Sequence, residues 1–118
     1  TFSQSIKERN GSIVNIGVSG LNAFKANVYN SAYFLSKNAL LGLTKSLAKE
    51  LASYGVTVNM VSPGYLENSI DFPKSLSSLP TGRVTTFAEV IEIIAFLLSE
   101  KARHITGQNI EVSGGVGL

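Results

Sequence analysis

Hydrophobic positions along this chain fall into short β-branched runs separated by long stretches of helical periodicity. Ser12 to Ile16 (SIVNI), bounded by Gly11 and Gly17, predicts a strand covered on both faces. Val56 to Val61 (VTVNMV) predicts a second buried strand, and Asn109 to Val112 a third, closed by Gly114 and Gly115. Tyr33 to Leu51 (YFLSKNALLGLTKSLAKEL) is the core of a helix spanning 31–52 that Gly55 ends. Leu40, Leu43, Leu47 and Leu51 make one apolar stripe on it, and Leu41, Ala48 and Ala52 continue another. A surface helix carries one stripe about 100° wide, so this one is covered twice. Its second cover is either a larger core or a subunit interface.

Thr86 and Glu89 have capping-box spacing and open a helix running to about Ser99. Val90, Ile91, Ile94, Ala95, Leu97 and Leu98 are assigned to its core side, which makes Glu89 a cap and Glu92 part of a solvated face. Thr1 to Arg9 reads as the last turns of a helix, with Lys7 and Arg9 near its C-terminal end and Asn10-Gly11 as its stop. Strands alternating with helices imply parallel βαβ units with right-handed crossovers, so the class is α/β. Three strands and two complete helices make an undersized sheet, and the first strand calls for neighbours beyond this chain.

Composition narrows the setting. The 118 residues, 44% hydrophobic and 15% charged, read as one globular domain over 1–118. Cysteine is absent, which excludes disulfides and thiolate metal sites and fits a reducing, cytoplasmic location. Lys37, Lys45 and Lys49 interrupt the most apolar region, so no run approaches the roughly 20 residues of a membrane helix. No signal peptide is visible. The formal charge of +2 is small and its lysines are dispersed, which argues against nucleic acid or a membrane surface as partner.

Candidate chemistry gathers around the long helix. Tyr33 and Lys37 stand four apart, on one helical face. A phenol titrates near pKa ~10 when isolated, and a neighbouring ammonium favours the phenolate, so such a pair can move a proton. The loop Gly17 to Asn30 (GVSGLNAFKANVYN) joins a strand to this helix, a position where open α/β folds place their sites. It carries Ser19, which is either a turn hydroxyl or part of the site. Ser62-Pro63-Gly64 follows the second strand and leads into an irregular span, 65–85, of a length found in lids and binding loops. His104 has no metal-type partner near it in sequence and reads as structural or exposed.

Taken together, GSIVNIG, Ser19, YFLSKNALLGLTKSLAKELASYGVTVNMVSPGYLE and GRVTTFAEVIEIIAFLLSEKARHITGQNIEVSGG resemble the C-terminal half of the short-chain dehydrogenase/reductases over nearly the whole chain. Among subfamilies the chain looks most like the 3-oxoacyl carrier-protein reductases. The resemblance implies a doubly wound, Rossmann-like sheet whose N-terminal half lies outside this chain. It also implies an NAD(P)(H)-dependent reduction of a carbonyl, with a 3-oxoacyl thioester as one candidate, and NADP favoured over NAD by subfamily alone. Tyr33 matches the general acid, Lys37 the lysine that tunes it and holds the nicotinamide ribose, and Ser19 the serine that orients the carbonyl. Pro63, Gly64, Leu66 and Asn68 match the loop at the nicotinamide end, and 65–85 matches the substrate lid. A homodimer or homotetramer through helix 31–52 is implied too, as is a small carbonyl or alcohol substrate, free or carried as an acyl chain.

Several positions depart from the family pattern. Ser19 sits one residue later than usual, where Val18 would fall, Asn68 replaces a threonine, and Ser113 replaces an aspartate before Gly114-Gly115. Tyr29 competes with Tyr33 but has Tyr33, not a lysine, four residues on. Nor does it match the Tyr-to-Lys spacing of seven found in enoyl reductases, because position 36 is serine. Of the basic residues that carrier-protein reductases place near two helix ends, Arg9 fits one and Tyr54 occupies the other. No glycine-rich dinucleotide turn follows a first strand here, and the family's catalytic asparagine falls upstream of residue 1. The 118 residues by themselves are therefore expected neither to bind dinucleotide tightly nor to turn over. A non-enzymatic association module or degenerate gene product is the alternative to part of a reductase.

Overall fold

The computed structural model describes residues 10–23, 26, 30–70 and 72–118. The helical reading of Thr1 to Arg9, the site of Arg9 and the competing Tyr29 lie outside these residues.

Three parallel strands form one sheet in the order β1-β2-β3: β1 is Ser12–Ile16, β2 is Thr57–Pro63 and β3 is Asn109–Val112. Register runs from Ser12 opposite Thr57 to Ile16 opposite Val61, and from Met60 opposite Asn109 to Pro63 opposite Val112. The central β2 is buried at all seven positions, whereas β1 and β3 are half-buried edges. The ladder starts at Thr57 instead of Val56 because the Val56 N–H donates to Leu51 O, closing the preceding helix.

Alternation along the strands sorts side chains onto two faces. Ile13, Val58 and Met60 meet helix α1, Ser31–Leu51, while Val14, Val61 and Ile110 meet helix α2, Phe87–Leu98. The two crossovers advance the same way along the sheet with their helices on opposite faces, so they have opposite hands. Uniform right-handedness, expected from the βαβ pattern, therefore fails for one of them. That rule constrains compact units, and the second crossover carries the long 64–86 span before its helix.

Helix α1 buries Leu41, Thr44, Ala48 and Leu51, and each buried leucine contributes roughly 1.5–3 kcal/mol. A 3-10 turn, Ala52–Tyr54, and Gly55 at φ +73° end it. Buried Thr44 donates to Leu40 O at 2.8 Å and accepts from Asn15 Nδ2 at 3.0 Å, tying α1 to β1. Of the two predicted stripes, Leu41 and Ala48 of one are buried, while in the other Leu40, Leu47 and Leu51 are at least half-buried but Leu43 is 52% exposed; with Leu35 at 63%, an apolar patch of the helix is open among the described residues. In α2 the core side is Val90, Ile93, Ile94 and Leu97, while Ile91, Ala95 and Leu98 point outward, against expectation. The helix is apolar nearly all round, so its periodicity does not select a face.

The capping box forms as the spacing predicts, with Glu89 N–H on Thr86 Oγ1 at 3.2 Å and Thr86 N–H on Glu89 Oε2 at 3.0 Å. The span before α2 is pinched at its two ends. Leu66 bridges Thr85, the Thr85 N–H donates to Tyr65 O at 2.7 Å, and Glu67 accepts from Phe87 N–H at 3.1 Å. Between these ends the loop returns to the body at buried Leu79 and at Pro80 and Thr81, which lie against Gly115 and Gly114.

Candidate active site

Where the carboxyl ends of β1 and β2 meet the start of α1, the chain gathers its candidate chemistry. Lys37 Nζ donates to the Ile16 carbonyl at the end of β1, at 3.0 Å, and lies 5.7 Å from the centre of the Tyr33 ring. The four-residue spacing puts both on one helical face, and the strand-end carbonyl fixes where the ammonium stops. Tyr33 is 43% exposed, so its ring fronts open space. Behind it the Phe34 ring stands edge-on, 6.1 Å between centroids, and Phe34 itself packs against the buried Leu21, Leu41 and Met60. The phenol is thus propped from the core side and free on the other.

Ser19 reaches the same end of the sheet. Pairing continues past the strands as Gly17 N–H donates to Val61 O at 2.9 Å and Ser19 N–H to Pro63 O at 3.0 Å. A side chain at Gly17 would place Cβ 2.3 Å from Ser62 Oγ and 2.7 Å from Met60 Sδ, so only glycine lets the loop leave so close to β2. Pro63 ends β2, and Gly64 N–H donates to Val112 O at 3.1 Å, holding that loop against β3. The Leu66 N–H is engaged by Ser69 Oγ at 2.9 Å, and Asn68 is exposed. Ser19, Tyr33, Lys37, Pro63 and Gly64 therefore share one end of the sheet, while Leu66 and Asn68 stand at the neck of the 65–85 loop.

The half-exposed phenol of Tyr33 and the ammonium of Lys37 beside it, anchored to a strand end, form a donor pair of the kind that could meet vicinal hydroxyls, and Asn68 stands apart from that pair at the neck of the loop. A separate cavity of about 230 Å³ opens beside β3, lined by Thr81, Arg83, Thr85, Glu89, Glu111 and Ser113, and neither Tyr33 nor Lys37 borders it. Within that lining the Arg83 guanidinium grips Glu89 through both carboxylate oxygens, at 3.2 and 2.5 Å. The Arg83 hydrogen bond, with the Thr86 N–H, holds the Glu89 carboxyl down at about 2. Glu89 is thus a structural anion. His104 is exposed, and among the described residues no group of three His, Cys, Asp or Glu is placed to hold a metal.

Sequence reasoning missed a polar cluster on β3. Glu111 accepts from the Gly20 N–H, and Asn109 exchanges side-chain bonds with Asn22 and Ser62, at 3.0 and 2.6 Å. Its signal was present: in NIEV the two polar residues share one face of a strand whose other face is apolar.

Comparison with known proteins gives this arrangement a context. A family model described as enoyl-(acyl carrier protein) reductase matches residues 2–117. Over 118 residues the chain is 42% identical to the 3-oxoacyl-[acyl-carrier-protein] reductase FabG of Buchnera aphidicola, covering 94% of this chain and 48% of that protein. FabG of Escherichia coli is 36% identical, with 94% and 48% covered. A crystal structure of a 3-oxoacyl-[acyl-carrier protein] reductase with bound NAD from Brucella melitensis superposes with a TM-score of 0.85 at 29% identity, covering 98% of this chain and 45% of that one. The chain thus spans about half the length of the relatives it matches. Since the matched family model runs over nearly all of it, on a parallel α/β sheet with the tyrosine and lysine together at a strand end, the chain belongs to the short-chain dehydrogenase/reductase family.

Proposed function

We propose that the chain is part of an NAD(P)(H)-dependent oxidoreductase that reduces a carbonyl, with a carrier-bound 3-oxoacyl thioester as the leading substrate class. The reading rests on one observation: Lys37, fastened to the Ile16 carbonyl, stands over a half-exposed Tyr33 ring. When bound, the nicotinamide supplies hydride to the carbonyl carbon. Tyr33 gives its phenolic proton to the carbonyl oxygen, so an alcohol forms and a phenolate remains. Lys37 stabilises that phenolate by charge and holds the cofactor ribose through its remaining N–H donors. Ser19 donates to the oxygen as negative charge gathers on it.

Pro63, Gly64, Leu66 and Asn68 would receive the carboxamide end. For Leu66 this means exchanging the Ser69 hydroxyl for the ligand. The 65–85 loop, gathered at its neck, would act as the substrate lid. The cofactor is NADP or NAD, NADP being favoured by subfamily resemblance. The open face of α1, with Leu35 and Leu43, supports a homodimer or homotetramer through that helix, in a cytoplasmic enzyme. Among the described residues no helix is long and apolar enough to cross a membrane.

Tyr33→Phe in the full-length protein carrying this chain is the test. Turnover should fall by about 10²-fold or more, the usual worth of a general acid, with cofactor binding kept. Unchanged turnover would remove Tyr33 from the acid role. Titration with NADPH and NADH separately decides the cofactor.

A further inference from the structure

Resting on that reading of Ser19, we propose that Glu111 is the positioning residue for the serine, acting from the far strand through the loop backbone. Leu21 anchors the loop 17–23 in the core beside Leu41 and Met60, with Val18 against them, and the small residues before it, Ser19 and Gly20, are placed by what holds their backbone amides. On the β2 side, Ser19 N–H donates to Pro63 O at 3.0 Å. On the β3 side, the next N–H, that of Gly20, donates to the Glu111 carboxylate. Ser19 is therefore held by a bond at its own amide and one at the following amide, on two different strands.

The surroundings favour an anion at this place. Asn22 Nδ2 points at Glu111 Oε2, 3.4 Å away, and at the Asn109 carbonyl, 3.3 Å away. Asn109 Nδ2 donates to Asn22 Oδ1 at 3.0 Å, and its Oδ1 accepts from the buried Ser62 hydroxyl at 2.6 Å. Among the described residues the partners of the Glu111 carboxylate are donors, the Gly20 N–H and Asn22 Nδ2, and bonds to an ionised acceptor are roughly twice as strong as neutral ones. The C-terminal turn closes the same loop from outside: a Cβ on Gly117 would lie 2.8 Å from Gly20 N, so backbone packs on backbone there. Glu111 touches neither substrate nor cofactor in this scheme. Its effect is to fix the hydroxyl, and displacing a catalytic group by about 1 Å can cost on the order of 10²-fold.

The test is a double-mutant cycle on the full-length protein, read as kcat, cofactor KM and hydrogen exchange. Glu111→Ala should lower kcat by about ten- to hundred-fold and leave the cofactor KM within about twofold, while speeding exchange at the Gly20 amide. In a Ser19→Ala background the same change should cost little more, because the group it positions is gone. Glu111→Gln, which keeps an acceptor for Gly20, should recover most of the loss and guards against a variant that fails to fold. Additive losses in the cycle, or a glutamine variant as poor as alanine, would overturn the proposal. If the full-length protein reduces no carbonyl, or Ser19→Ala is silent, the proposed function falls instead. Gly20 exchange unchanged in Glu111→Ala would still overturn the fastening.

Discussion

Replacing Asn59 should unfasten the start of β3. Its side chain is 1% exposed in the wholly buried β2, where it donates to Ile105 O at 2.8 Å and accepts from Gln108 N–H at 3.0 Å. One amide thus imitates a short length of strand for the 105–108 turn, just before Gln108 O receives Met60 N–H at 2.8 Å. Asn59→Ala leaves two backbone groups without partners, each costing roughly 1–3 kcal/mol, and both bonds are only part-buried, so the lower half of that range applies. A loss of roughly 2–4 kcal/mol follows, and with a urea slope of about 1–3 kcal/mol/M the midpoint should fall by roughly 0.7 M or more. Asn59→Asp should be worse at neutral pH, since a carboxylate faces the Ile105 carbonyl with no proton to offer. Burial and that carbonyl raise its folded pKa above the unfolded value of ~3.9, so its penalty is largest above both and shrinks as the carboxyl protonates in acid. Equilibrium urea unfolding of the full-length protein at pH 7 and pH 5 measures both effects. An alanine variant within about 0.5 kcal/mol of wild type, the range of an ordinary surface change, would refute the clamp.

Further outcomes follow from close contacts and charge. Gly17→Ala should destabilise by roughly 1–3 kcal/mol, because its Cβ would meet Ser62 Oγ at 2.3 Å and both neighbours are buried; thermal unfolding reads it. Gly42 lies mid-helix on the open side of α1 with nothing within 4 Å, so Gly42→Ala should stabilise by up to ~1 kcal/mol if that face meets solvent. If that face packs closely on a second copy, the same change should weaken the oligomer, and sedimentation of Gly42→Ala beside Leu35→Asp and Leu43→Asp distinguishes the two. Glu89, held at about 2 by Arg83 and the Thr86 amide, has a depressed folded pKa, so its contribution is complete above the unfolded value and fades as pH falls towards 2. The stability gap between wild type and Glu89→Gln should therefore narrow between pH ~4.5 and ~2.

The ends of β1 and β3 were legible to the residue because glycines punctuate both runs, and the Thr86–Glu89 cap because its two bonds are reciprocal and local. Burial side was harder to read. Ile91 and Leu98 carry the same hydrophobicity as Ile94 and Leu97, and only the position of the sheet separates them. The tyrosine and lysine could be paired from spacing, since a helix fixes neighbours four apart. What anchors the lysine could not, because Ile16 contributes its carbonyl, and a backbone acceptor has no signature in residue type. Glu111 was readable only as one of two polar residues on a strand face, since its partner is the Gly20 amide, 91 positions away.

The anchoring of Lys37 has a consequence for where rigidity at the site comes from. Its ammonium is tied to β1, which pairs with β2 along one edge and has no strand along the other among the described residues. The central β2 is fixed from both sides and carries Pro63 and the backbone acceptor for Ser19, so that part of the site is held by the sheet's best-buried strand. Lys37 depends instead on an edge strand whose last residue, Ile16, is itself exposed, while Tyr33 rests on the Phe34 ring. An unpaired edge leaves alternate N–H and C=O groups open to water and to another strand. Any strand added there would stiffen β1 and with it the Ile16 carbonyl, while leaving the Ser19 side almost unchanged. The two halves of the proposed site are thus supported unequally, and the position of Lys37 beside Tyr33 is the one that responds to what lies against β1.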